Sequence, residues 1–227
     1  MLKGKGILSE LQKRVISALI CITDFSHFYL TGGTALAEFY FGHRKSYDLD
    51  IFTSQVGLIL PVSRLVEEEL KKRKFFLNII RRFESFTEFE ISQENEIIKV
   101  QFALDSPFRF KEPVDSDLGI KVNNYEDIII DKLLAFFGRV EPRDAVDLYF
   151  ILEKENFWEI SKLAKKKDPG FDLYWMAAAL EKVKSFPDEI NRWPVEMLTE
   201  IDIANLKKKF LFLAVEIMER LRKQKLS

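Results

Sequence analysis

The sequence predicts an α+β fold, a β-sheet with flanking helices followed by a helical C-terminal half, and three features carry that reading. Every strand-like run falls before Asp105, whereas from Glu126 onward the ordered runs have helical spacing; strands first and helices afterwards is the signature of segregated α+β architecture. A short apolar run, Phe28 to Thr31, breaks at Gly32-Gly33 and gives way to helix-forming residues Thr34 to Phe41, the pattern of strand, tight turn and helix. Thr87 to Ser92 and Ile97 to Leu104 flank the polar turn Gln93-Glu94-Asn95-Glu96 and read as a hairpin. No Gly/Ser linker parts the two halves, so a sheet domain over residues 1–125 and a helical region over 126–227 packed on it are expected.

Taken in order, Ser9 caps a helix over Glu10 to Ile22, with Leu11, Val15, Ala18, Leu19 and Ile22 as its apolar stripe. Tyr47 to Phe52 alternates polar and apolar residues and reads as a second strand. Pro61 suits the first turn of a helix running to Lys74, whose buried side is Val62, Leu65, Val66 and Leu70. Phe75 to Phe83 is a strand ahead of the hairpin, and Pro107 to Tyr125, with two prolines and Gly119, is an irregular connection. Helices follow at Glu126 to Phe137, from Pro142, at Trp158 to Lys166, at Leu173 to Ser185 and at Asn205 to Lys225.

The 227 residues, 47% hydrophobic and 31% charged, are enough for a core of ordinary size. A net charge of -1 gives no global attraction for nucleic acid, so any basic surface is local. Lys207, Lys208, Lys209, Arg220, Arg222, Lys223 and Lys225 bias both ends of the last helix, as a solvated face or as a surface that steers RNA. The single cysteine, Cys21, excludes an internal disulfide framework and reads as a small buried hydrophobe. No secretory leader or bilayer-spanning run is visible, which points to a soluble, cytoplasmic protein with no membrane partner.

One stretch reads as chemistry. Gly32 and Gly33 let the backbone approach a ligand, and the N–H groups of the new helix and the Thr34 hydroxyl face whatever anion sits there. Asp48 and Asp50 project from one face of the next strand, and two carboxylates in so small a volume call for a hard divalent cation such as Mg²⁺. A phosphate cradle beside a metal site implies nucleotide chemistry. His43 lies near the cradle, as a nucleotide contact or as a surface loop residue.

Gly32-Gly33-Thr34-Ala35-Leu36, a helix, and then Arg44-Lys45-Ser46-Tyr47-Asp48-Leu49-Asp50 resemble the signature of polymerase-β-type nucleotidyltransferases, and more closely that of the AbiEii/AbiGii toxin family. A second block, Lys132 with Arg139, Arg143, Asp144 and Asp147-Leu148-Tyr149, resembles the same family, and from Glu153 onward the resemblance fades. The resemblance implies a nucleotidyltransferase fold with a mixed sheet and Mg²⁺-dependent transfer of NMP from an NTP to an acceptor, tRNA for some members. It also implies a role as the toxin of a toxin–antitoxin or abortive-infection system with a cognate antitoxin. Asp48 and Asp50 would then be catalytic metal ligands. Gly32, Gly33, Thr34, Arg44 and Ser46 would bind the nucleotide, and Lys132 would act catalytically on the triphosphate. From its apolar surroundings alone, Lys132 needs an anion, either phosphate or an ion pair with Asp144 or Asp147.

The family pattern places a third carboxylate where this chain has Gln101, with Asp105, Glu88 and Glu90 as the nearest replacements. A second hypothesis follows from that departure: a non-catalytic nucleotide-binding module, or a partner of an antitoxin, that lacks the third carboxylate.

Overall fold

The computed structural model describes residues 1–226, with side chains as far as Gln224, so the Lys225 side chain counted above lies outside the described residues. The chain divides into two compact units, Met1–Ile128 and Ile129–Ser227.

The first unit is built on a seven-stranded mixed sheet: β1 (Tyr29–Thr31), β2 (Leu49–Thr53), β3 (Phe76–Arg82), β4 (Phe86–Gln93), β5 (Glu96–Leu104), β6 (Val114–Asp115) and β7 (Lys121–Val122). Their order across the sheet is β3-β4-β5-β2-β1-β7-β6. β2 runs parallel to β5 and antiparallel to β1, and β4–β5 is the expected hairpin, closed by Gln93 paired with Glu96. Alternation sorts the faces. Ile98, Val100 and Phe102 of β5, Leu49 and Ile51 of β2 and Phe89 and Ile91 of β4 are buried, while Lys99, Gln101, Asp50, Glu88 and Glu90 point the other way. Phe25, Phe28, Phe89 and Phe102 knit the buried face at ring separations of 5.6 to 6.4 Å. α1 (Glu10–Leu19) and α3 (Ile59–Lys72) adjoin β5.

Between β1 and β2 lies α2 (Gly32–Ala35), which widens at once into a π-helix over Leu36–Phe41. The Gly42 N–H bonds to the Ala37 carbonyl five residues back, at 2.9 Å, and Gly42 ends the turn at φ 73.

Four expectations are corrected. The connection Pro107 to Tyr125 is not wholly irregular, because β6 and β7 form within it and β7 pairs in parallel with β1. Cys21 is exposed: α1 ends at Leu19, and the cysteine falls past the helix and off its buried stripe. Leu65 is exposed on α3, whose buried residues are Ile59, Val62, Ser63, Val66 and Leu70. The second strand begins at Leu49, so Asp48 stands on the segment leading into it.

The second unit is helical. α4 (Tyr125–Arg139) enters it from the first unit and is followed by α5 (Pro142–Leu152), α6 (Phe157–Lys167), α7 (Leu173–Glu181) and α8 (Ile203–Leu226). Its apolar residues include Phe136 and Phe210, in edge contact at 5.5 Å. Among the described residues no helix is long and apolar enough to cross a membrane.

Candidate functional site

The turn after β1 is shaped around the carboxylate of Asp50. Gly32 holds φ at 70, and any Cβ there would collide with Asp50 Oδ2, so both the conformation and the space demand glycine. At Gly33 a Cβ would stand 2.5 Å from Arg44 Nη2 and 3.0 Å from Ser46 Oγ. The glycine pair thus lets Asp50, Arg44 and Ser46 close on one stretch of backbone. Thr34 is used otherwise than expected: it is buried, and its hydroxyl donates to the Asp48 carbonyl, tying the cradle to the aspartate segment.

Residues missed in the sequence brace this arrangement. Gln12, buried on α1, accepts from the Ser9 N–H in a capping box and donates from Nε2 to the Ser46 and Tyr47 carbonyls at 2.9 and 3.0 Å, fixing the chain just ahead of Asp48. Its position within the buried stripe of α1, one residue after Leu11, was the available signal. Glu38, in the π-helix, accepts from the N–H groups of Gly6, Ile7 and Leu8 at 2.6 to 3.0 Å. His43 is not a surface residue: it is fully buried, edge-on to Phe41 at 5.7 Å. Nearby, Tyr40 donates to the Asn123 carbonyl at 2.7 Å, and burial pushes its hydroxyl up to about 12.

The sheet register places the remaining candidates. Asp50 pairs with Thr31 on one side and Gln101 on the other; Gln101 in turn faces Glu88, and Glu88 faces Arg81. Directly paired residues share a face, so Asp50, Gln101 and Glu88 form one row across three strands. Glu90 pairs with Lys99, one step along the same face. Asp105 is elsewhere. It follows β5 beside Thr53, accepts from the Tyr29 hydroxyl and the Ser106 N–H, and pairs with Arg109 Nη2 at 3.3 Å. Desolvation and this carboxylate together push the Tyr29 hydroxyl up.

In the second unit, Lys132 Nζ lies 2.8 Å from Asp147 Oδ2 and 3.9 Å from Asp144 Oδ1. Arg139 grips Asp144 with two bonds of 2.6 and 2.8 Å, and neither aspartate has any exposed surface. The anion at Lys132 in the structure is therefore a carboxylate. In α8, Lys207 donates to the Phe186 carbonyl and Asp188, Lys209 to the Leu152 carbonyl and Glu153, and Arg220 lies over Trp158 at 4.2 Å. Much of the basic bias is thus spent on internal contacts.

The sequence model of the family described as nucleotidyl transferase AbiEii toxin, type IV toxin–antitoxin system, matches residues 14–219. The chain belongs to the AbiEii nucleotidyltransferase toxin family. An uncharacterized protein of Aquifex aeolicus is 28% identical over 201 residues, which is 84% of this chain and 88% of the relative. Among solved structures, the nucleotidyltransferase toxin MenT4 of Mycobacterium tuberculosis is similar with a TM-score of 0.59 at 18% identity, over 89% of this chain and 81% of that one. JHP933 of Helicobacter pylori is similar at 0.55 and 20% identity, over 96% of both. These likenesses give this AbiEii-family chain the nucleotidyltransferase fold.

Among the described residues no group of three or more His, Cys, Asp or Glu side chains is gathered to hold a metal ion. The donors at the turn are the carboxylates of Asp48 and Asp50, with Gln101 paired beside Asp50. That set fits Mg²⁺, which is commonly held by one or two carboxylates with substrate phosphates and water completing its shell.

Proposed function

We propose that this protein transfers a nucleotide from an NTP to an RNA acceptor in the cytoplasm, as the toxin of a system with a cognate antitoxin. The observation that carries the reading is the packing of the Asp50 carboxylate against Gly32, the first glycine of the candidate phosphate cradle. The N–H groups of Gly33 and Thr34 would orient the β- and γ-phosphates, and Arg44, whose guanidinium lies over Gly33, adds positive charge to that end. Asp48 and Asp50 would hold Mg²⁺, which when bound offsets negative charge on the phosphates. In the proposed reaction an acceptor hydroxyl attacks the α-phosphorus and pyrophosphate leaves. Gln101 can offer an amide oxygen but cannot accept a proton, so it does not serve as the base.

That limitation favours a second reading, a nucleotide-binding module without turnover. Calorimetry with each NTP and Mg²⁺ tests what the two share. Wild type should bind at least one NTP, and Asp50→Asn should lose the metal-dependent part with an unchanged melting temperature. Equal binding by the variant would remove the site assignment. Binding without transfer to any RNA would select the module.

A further inference from the structure

α8 carries two stripes. Leu206, Phe210, Leu213, Ala214 and Ile217 are buried, and the charged residues flanking them are answered within the chain: Lys207 by the Phe186 carbonyl and Asp188, Lys209 by Glu153, Glu216 by the Trp158 ring N–H, and Arg220 by the Trp158 ring. The outward stripe is left over. It runs Lys208, Phe212, Val215, Glu219 and Arg222, in steps of four, three, four and three residues, the spacing that keeps one seam of a helix turned toward a neighbouring helix. Phe212 is 71% exposed and Val215 57%. Among the described residues the exposed side chains of Lys208, Glu219 and Arg222 have no hydrogen bond or ion pair. Beside the stripe, Met218 of α8 and Tyr174 and Trp175 of α7 are also open, along a hollow between the two helices that Ala177, Ala178 and Ala214 help to line.

We propose that this stripe pairs antiparallel with the same stripe of a second copy of the chain, about a two-fold axis between Phe212 and Val215. The pairing does not depend on the nucleotide site. Its direction follows from charge. Set parallel, Lys208 meets Lys208 and Glu219 meets Glu219. Set antiparallel about that axis, Phe212 lies opposite the partner's Val215 and Lys208 opposite the partner's Glu219, so an apolar centre is flanked by two ion pairs. Arg222 then falls opposite the amide of the partner's Asn205. The stripe is therefore complementary to itself, as a two-fold interface has to be. The area is also sufficient. With about 150–250 Å² for a whole aromatic side chain, the five open apolar residues expose on the order of 500 Å² per chain, and two copies withdraw about 1,000 Å², where specific interfaces begin. RNA fits less well, because Glu219 stands between Lys208 and Arg222 and would face the phosphates.

Sedimentation equilibrium of the full chain over a range of concentrations gives the test. Wild type should reach twice the chain mass. Phe212→Asp, at an exposed position, should keep its far-ultraviolet circular dichroism and weaken association about 30-fold or more, the cost of losing a central aromatic anchor. Lys208→Glu and Glu219→Lys each set like charges against one another twice, and each should weaken association about tenfold. An equimolar mixture of those two variants, or the double variant, should restore it, which reads the register even if Phe212→Asp misfolds. A monomeric wild type, or a dimer that all three single variants leave intact, would overturn the proposal. Losses that neither mixing nor combination repairs would overturn the antiparallel register. A monomeric wild type that gains mass with single-stranded RNA, and loses that gain in Lys208→Glu, would give the stripe to RNA instead.

Discussion

Asp105, just past the end of β5, and Glu88, on β4, are both acids largely withdrawn from water, and they are held in opposite ways. Asp105 is surrounded by donors: the Tyr29 hydroxyl, the Ser106 N–H and the Arg109 guanidinium, which also lies over the Tyr29 ring at 4.5 Å. Glu88 has a single loose contact. A carboxylate whose lone pairs are filled by its own fold contributes to stability, and one left short of donors is available to a ligand. The second unit supplies the first kind in its strongest form, with Asp144 and Asp147 fully buried and answered by Arg139 and Lys132 at 2.6 to 2.8 Å. Acid content alone does not tell these groups apart; the filling of each one's hydrogen-bond capacity separates Asp105 from Glu88.

The distinction is broken most severely at Lys132. Lys132→Ala leaves Asp147 charged and buried, and should cost about 3–5 kcal/mol in urea unfolding. If it instead leaves stability intact and weakens NTP binding, Lys132 serves phosphate after all. Asp105→Asn comes next. It weakens the bonds from Tyr29 and Arg109 and should cost about 1.5–3 kcal/mol, the worth of a hydrogen bond to a charged group. Glu88→Gln should not destabilise the fold and should raise stability slightly, because no well-formed bond is lost and a poorly compensated buried charge is removed. A Glu88→Gln variant as destabilised as Asp105→Asn would erase the contrast.

The smallest effect is alkaline. Tyr40 ionises near the ordinary tyrosine value of 10.0 when unfolded and is pushed up to about 12 by burial when folded. The unfolded chain therefore loses its proton first, and the stability this group contributes below pH 10 falls as the pH rises toward 12. Tyr40→Phe should show a shallower loss of melting temperature over that interval, and identical slopes would refute the assignment.

The sequence made the strand–glycine–helix turn and the β4–β5 hairpin legible, because glycine breaks and period-two alternation are local signals. β6 and β7 escaped because two-residue strands have no period, and the pairing of β7 with β1 is non-local. Cys21 was misplaced when the stripe of α1 was carried past Leu19. The alignment of Glu88 with Gln101 was within reach, since closing the hairpin on Gln93 and Glu96 fixes every pair along it. The pairing of Asp50 with Gln101 was not, because a parallel register across the intervening chain depends on the folded sheet. The choice between phosphate and carboxylate at Lys132 also needed coordinates, since nothing in residues 142–147 tells where their side chains go.

The most direct measurement compares wild type, Asp50→Asn and Asp105→Asn side by side, incubating each with α-labelled NTPs, Mg²⁺ and total RNA below the melting temperature of the weakest variant. Label should enter RNA with wild type and with Asp105→Asn, and should be lost with Asp50→Asn. Incorporation by Asp50→Asn equal to wild type, or its selective loss in Asp105→Asn, would contradict the account.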